Sequence, residues 1–150
     1  MTDEIAEQEI AGRTVPEPLK QWTGALLNRT TQKLLECFES RISGSGLKSK
    51  QFSALVLLES APTTQIELGR MLWIDRTSMT AMIDDLEARD YVRRERHPED
   101  RRAYLVSLTS HGQQTLERAR VVADEVEVEV LAPLSGEELS TLRELLSKLV

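Results

Sequence analysis

Apolar residues recur at three- and four-residue steps along most of the chain, the period of helices that bury one face. After Pro16 and Pro18 the first such run is Leu19, Trp22, Leu26, Leu27, Leu34, Leu35 and Phe38, and the Ser43-Gly44-Ser45-Gly46 cluster ends it. Phe52, Leu55, Val56 and Leu58 predict a second helix from about Ser49 to Ser60. Thr64 and Glu67 stand in the T-x-x-E capping-box spacing, which opens a short third helix to about Leu72. Asp75 is placed to cap a fourth helix, whose apolar face is Met79, Met82, Ile83 and Leu86. Asp90 falls where that helix ends, and Asp tolerates the left-handed conformation used there.

The pattern then changes. Tyr91–Arg96 and Ala103–Leu108 read as two strands joined by the HPEDRR segment. Ser110 followed by Gln113 is a capping-box-like start for a fifth helix to about Leu131. Its segment Glu125–Val130 alternates like a strand, and valine favours strands. Val122, Val126 and Val130 also lie one helical turn apart, and the preceding residues are helical in composition, so a helix is predicted. Pro133 breaks it, and Ser135 with Glu138 caps a last helix bearing Leu139, Leu142, Leu145, Leu146 and Leu149. The first sixteen residues are acidic, lack aromatics and predict a mobile arm. The fold class implied is mostly α with a small β-hairpin wing: a winged helix-turn-helix flanked by N- and C-terminal helices.

A chain of 150 residues, 40% hydrophobic and 29% charged, suits one globular domain. No apolar run approaches the roughly 20 residues that span a bilayer, and no secretory signal opens the chain, so no membrane association is expected. The single cysteine, Cys37, cannot close an internal disulfide, which fits a reducing cytoplasm. A net charge of −6 excludes indiscriminate nucleic-acid binding and requires that any basic surface be segregated. Residues 1–20 hold two bases and five acids, and residues 113–150 hold four and eight, so the acid gathers at the ends. Between them Arg89, Arg93, Arg94, Arg96, Arg101 and Arg102 crowd into fourteen positions against four acids.

In a helix pair followed by a hairpin, the second helix enters the major groove with its early residues at base edges. Its outward face would present Arg76, Thr77, Ser78, Thr80 and Ala81. Hydroxyls there can bond phosphates or bases, and threonine methyls can touch a thymine methyl; Thr77 and Ser78 also suit a helix start as polar first-turn residues. Arg94 and Arg96 on the first strand, with Asp100, Arg101 and Arg102 at the tip, complete the predicted double-stranded DNA surface. A guanidinium entering a narrow minor groove gains from the enhanced negative potential there. A solvated charged loop is the plainer alternative. His97 and His111 have no ligand partner at i, i+4 spacing and no CxxC is present, so no metal site is predicted. With no glycine-rich phosphate loop or nucleophile elbow, and Asp84-Asp85 on an ordinary helix surface, neither an enzyme nor a cofactor is expected.

The run LEARDYVRRERHPEDRRAYLVSLTSHG, with its D-x-R tip and L-T-x-x-G exit, resembles the wing of the MarR family of bacterial transcriptional regulators. LKSKQFSALVLLES, TQIELGRML and DRTSMTAMIDDLE resemble that family's three preceding helices in order, so the likeness spans roughly Pro18 to Val150. It implies a homodimeric repressor reading a pseudo-palindromic operator. The segments would be an arm at 1–16, an N-terminal dimerisation helix at 17–47, the winged helix-turn-helix at 48–112 and C-terminal dimerisation helices at 113–150, integrated as one domain. By position Arg102 is the minor-groove arginine, Asp100 orients it, and Thr77, Ser78 and Thr80 face the groove.

The family usually binds small, often aromatic anions in a cleft between dimer helices and winged lobe, for which Trp22, Arg29, Lys33 and Arg41 are the candidates. Some members sense oxidants through a first-helix cysteine. Cys37 lies between Glu36 and Phe38, neighbours that do not make a reactive thiol, and is expected to be buried and structural. Three departures stand out. Ala81 and Asp85 occupy places where similar proteins often carry bases, which favours a rival reading as a protein-interaction module. Trp73 stands in the helix-to-helix turn where glycine is common; the turn is expected to adapt, with the indole packed on the core.

Overall fold

Side-chain caps set where the helices begin. In the computed structural model, which describes residues 14–42, 44, 46–100 and 103–150, the Thr64 hydroxyl accepts from the Glu67 N–H and the Glu67 carboxylate accepts from the Thr64 N–H. The Asp75 carboxylate accepts from the Ser78 N–H at 3.0 Å, and Ser135 and Glu138 close a reciprocal box. The elements are α1 Thr23–Arg41, α2 Ser49–Ser60, β1 Thr63–Thr64, α3 Gln65–Met71, α4 Arg76–Ala88, β2 Val92–Arg96, β3 Tyr104–Leu108, α5 Ser110–Val130 and α6 Gly136–Ser147. The mostly helical fold with a small wing is as predicted, and the valine alternation at the end of α5 is helical. The arm assigned to residues 1–16 lies almost wholly outside the described residues.

Three local readings need correction. Leu19 closes a 3-10 turn, Glu17–Leu19, and Trp22 precedes α1, so neither belongs to the long first helix. The cap of α5 is Thr109 rather than Ser110: its hydroxyl accepts from the Gly112 N–H at 2.9 Å. The wing is three-stranded, in the order β1-β3-β2 and antiparallel throughout. β2 and β3 pair from Val92↔Leu108 to Arg96↔Tyr104, while β1 adds Thr63↔Val106 and Thr64↔Leu105. With only two residues, β1 has no alternation from which to read it.

The chain divides into two compact units, one formed by Phe38–Glu129 and the other by the described residues up to Cys37 together with Val130–Val150. In the first, Leu55 and Leu58 of α2, Leu68 of α3, Met79, Ile83 and Leu86 of α4, Val92, Val106 and Leu116 form one buried core. Gly112 is required where α5 leaves the sheet, because a Cβ there would meet the Tyr91 carbonyl oxygen at 1.9 Å. Thr109 donates its N–H to that same carbonyl, at 3.1 Å. The L-T-x-x-G exit is therefore a close-approach motif that fixes the hairpin's end against the end of α4. In the second unit no described residue of the 3-10 turn or of α6 is buried. Among the described residues no helix is long and apolar enough to cross a membrane.

Candidate nucleic-acid interface

Both helices of the α3–α4 pair end in a Schellman motif. At the end of α4 the Asp90 N–H donates to Glu87 O and the Tyr91 N–H to Leu86 O, each at 2.9 Å. Asp90 takes the left-handed position expected of it, with φ 57°. At the end of α3 the Trp73 N–H donates to Arg70 O at 3.4 Å and the Ile74 N–H to Gly69 O at 2.9 Å. Here the left-handed position, φ 56°, falls to Trp73. A bulky L-residue in that region costs on the order of 1 kcal/mol. The expectation for this residue was wrong on both counts: the turn keeps its left-handed form, and the indole is 93% exposed.

α4 follows that turn and buries Met79, Ile83 and Leu86. Arg76, Thr77, Ser78, Thr80 and Ala81 are all exposed, as anticipated. Thr80 is nonetheless engaged within the lobe. Its hydroxyl donates to Arg76 O at 2.9 Å and accepts from the Gln65 amide at 2.5 Å, which leaves its methyl for a base. The Asp75 cap accepts from Ser78, and those hydrogen bonds hold its carboxyl below the usual range. Asp85 receives Gln51 at 2.6 Å and the Arg89 guanidinium. The Arg89 hydrogen bond, helped by Gln51 and opposed by partial burial, lowers the Asp85 pKa. The acid at this position thus ties α4 to α2 and to its own last turn.

On the wing, two of the three described arginines, Arg93 and Arg94, are ion-paired. Arg94 is half-buried and bound to Glu87, to Asp84 at 2.6 Å and to Gln65 at 3.4 Å. Burial works against its charge, but the hydrogen bonds it donates to Asp84 and Glu87 outweigh it and raise its pKa. Its guanidinium clamps β2 onto α4 instead of facing outward with the other predicted DNA residues. Arg93 pairs with Glu95 at 2.9 Å, and exposed Arg96 lies over the Tyr104 ring, 5.9 Å from its centroid. Sequence reasoning missed His97, whose Nδ1 accepts from the Glu99 and Asp100 N–H groups at 3.2 Å and so shapes the wing turn. A ring acceptor two and three residues before those amides was the available signal. Asp100 is exposed. Arg101 and Arg102 lie outside the described residues.

An open cavity of about 910 Å³ lies among α3, α4 and the wing, lined by Gln65, Arg70, Trp73, Arg76, Thr80 and Tyr104 with others. A smaller one, about 370 Å³, is lined by Arg41, Tyr91, Thr115 and Arg118 with others. Of the effector candidates, Trp22, Arg29 and Lys33 fall in one unit and Arg41 in the other. Arg29 pairs with Glu36 at 3.7 Å, and Arg41 with Glu129 and Glu125. Cys37 is half-buried rather than buried. Among the described residues no group of three His, Cys, Asp or Glu is placed to hold a metal ion.

A helix, a left-handed turn, a helix with an exposed polar first turn and an antiparallel wing define a winged helix-turn-helix DNA reader. Residues 45–103 match the model of the MarR family. The chain is 30% identical over 129 residues to the multiple antibiotic resistance protein MarR of Escherichia coli, covering 85% of this chain and 90% of that one. Two solved structures share the fold. A mutant of E. coli MarR complexed with operator DNA is 29% identical with a TM-score of 0.78, over 89% of this chain and 94% of that one. The transcriptional repressor CouR bound to a 23-mer DNA duplex is 31% identical with a TM-score of 0.82, over 91% and 97%. The chain therefore belongs to the MarR family of winged helix-turn-helix transcriptional regulators. It is a DNA-binding regulator and not an enzyme.

Proposed function

We propose that the protein acts in the cytoplasm as a homodimeric, effector-responsive repressor on a pseudo-palindromic operator. The observation that carries the dimer is that leucines of both helices of this unit are exposed: Leu26 and Leu35 of α1 are each 42% exposed, and Leu145 of α6 is 53% exposed. A second copy is the occupant that supplies matching leucines by symmetry. In this reading segments 17–47 and 113–150 make the dimer, and segment 48–112 reads one half-site. Half-sites then lie about one helical turn apart, roughly 34–36 Å. Arg76, Thr77 and Ser78 take the major groove, with Arg96, Arg101 and Arg102 supplied by the wing and Asp100 orienting Arg102. Repression is the activity of the CouR relative.

The effector in this reading is a small acidic, aromatic molecule, with Trp22, Arg29, Lys33 and Arg41 as candidate contacts. Support extends to Arg41 alone of these four, which with Arg118 lines a cavity of about 370 Å³, within the range of small-molecule sites. Such a ligand acts only by differing in affinity between lobe arrangements that can and cannot dock both recognition helices. The test is in vitro selection of a duplex with the wild-type chain, followed by gel shifts over a salt series and a screen of aromatic carboxylates. Specific binding with a steep salt slope, released by a carboxylate, supports the reading. No duplex enriched, or binding indifferent to every carboxylate, counts against the repressor or its effector respectively.

A further inference from the structure

Trp73 combines a backbone position that favours glycine with an almost fully exposed aromatic side chain, φ 56° and 93% exposure. Neither feature helps the fold: the first strains the turn, and the second leaves a large apolar face in water that adds nothing to the core. Among the described residues the indole makes no ring contact, and its N–H no hydrogen bond. Strain held against the interest of the fold is a pointer to function. The surroundings say which. Trp73 stands two residues before the Asp75 cap of α4 and lines one cavity with Arg70, Arg76 and Thr80. Arg70 is near enough to Glu67 to help the Thr64 hydrogen bonds lower that carboxyl's pKa. Neither it nor Arg76 forms an ion pair among the described residues, so two guanidiniums share this cavity with the indole on the edge of the recognition surface.

We infer that Trp73 is a DNA-backbone contact, its indole N–H donating to a phosphate oxygen and its ring lying on the adjoining deoxyribose. The inference rests on the DNA-binding reading of this lobe. A tryptophan offers one donor and no acceptor, too little to tell base pairs apart by their groove patterns. One donor beside a flat apolar face does suit a phosphate and its sugar, and such contacts set position without reading sequence. The arginines on either side supply charge complementarity to the same strand.

Trp73→Gly and Trp73→Asn test it, since both residues accept the left-handed turn. The wild-type chain and both variants are titrated with a duplex enriched from a random library and with an unselected duplex of equal length. The expected result is a midpoint of thermal unfolding unchanged or raised by about 2–4 °C in the glycine variant. Affinity is expected to fall roughly tenfold for both duplexes alike, the scale of one hydrogen bond to a charged group. The indole is neutral, so the log-log salt slope stays as in the wild type. Wild-type affinity in both variants overturns the inference while leaving the DNA-binding reading intact. So does a fall in unfolding midpoint in both, which makes the indole a packing residue. Failure of the wild-type chain to bind any duplex overturns the inference together with the reading beneath it.

Discussion

Within Phe38–Glu129 one set of large aliphatic side chains from α2, α3 and α4 is sealed inside, with Leu55, Leu68, Ile83 and Leu86 exposing nothing, while Ile66 of α3 stays outside at 61%. In the other unit the same residue type stays wet: Leu26 and Leu35 are 42% exposed, Leu145 53% and Leu149 72%. The winged unit completes a core of its own, whereas in the other unit no described residue of the 3-10 turn or of α6 is buried. Scattered exposed leucines are ordinary, and those on both helices of a unit with so little buried are what the proposed second copy would cover. In the proposed function, fold and DNA surface belong to one chain and the symmetry of reading to two.

Truncating one aliphatic residue on each side of this contrast breaks or sharpens it most. Ile83→Ala should destabilise the protein by about 2–5 kcal/mol in urea unfolding, whatever the protein concentration. Leu35→Ala should change stability in a concentration-dependent way, as expected of a residue covered by a second copy. An effect within about 0.5 kcal/mol at every concentration would mean that Leu35 is simply solvated. Next in size is Leu145→Glu, which sets a carboxylate on the apolar face. Its dimer dissociation constant should rise about 30-fold, or roughly 2 kcal/mol, by sedimentation equilibrium; an unchanged mass on dilution removes Leu145 from the interface.

Two arginines compare the surface with the interior of the winged unit. Arg76→Ala should weaken operator binding and shallow the log-log salt slope by about one per half-site. Arg94→Gln should weaken binding with the slope unchanged, because Arg94 is held by Asp84 and Glu87 and acts by fixing β2 to α4. The smallest effect is acid-dependent. The Asp85 pKa is lowered by Arg89, so its contribution is present above the unfolded pKa near 4 and lost as pH falls through the folded value. Asp85→Asn should therefore be less stable than wild type at neutral pH, by under about 1 kcal/mol for so exposed a pair, and the gap should close in acid.

Much of this was legible in the sequence because it is local. Thr64, Asp75 and Ser135 cap helices through atoms three residues away, and Asp90 and Gly112 report backbone needs at their own positions. What escaped is set by distance in the chain. Arg94 reads as one base in a basic stripe until the fold brings Asp84 and Glu87 to it. Gln65 gives no hint that it will occupy the Thr80 hydroxyl. Trp73 was misjudged for a different reason: hydrophobic residues usually pack inside, and here the turn's geometry outweighs that preference and turns the indole outward.

The most direct test of the central claim is the number of chains bound per duplex. Sedimentation velocity of the wild-type chain, titrated onto a duplex enriched from a random library, should show two chains per duplex and no one-chain complex on the way. A single chain bound tightly to the duplex, or a monomer that stays monomeric on saturation, would contradict it.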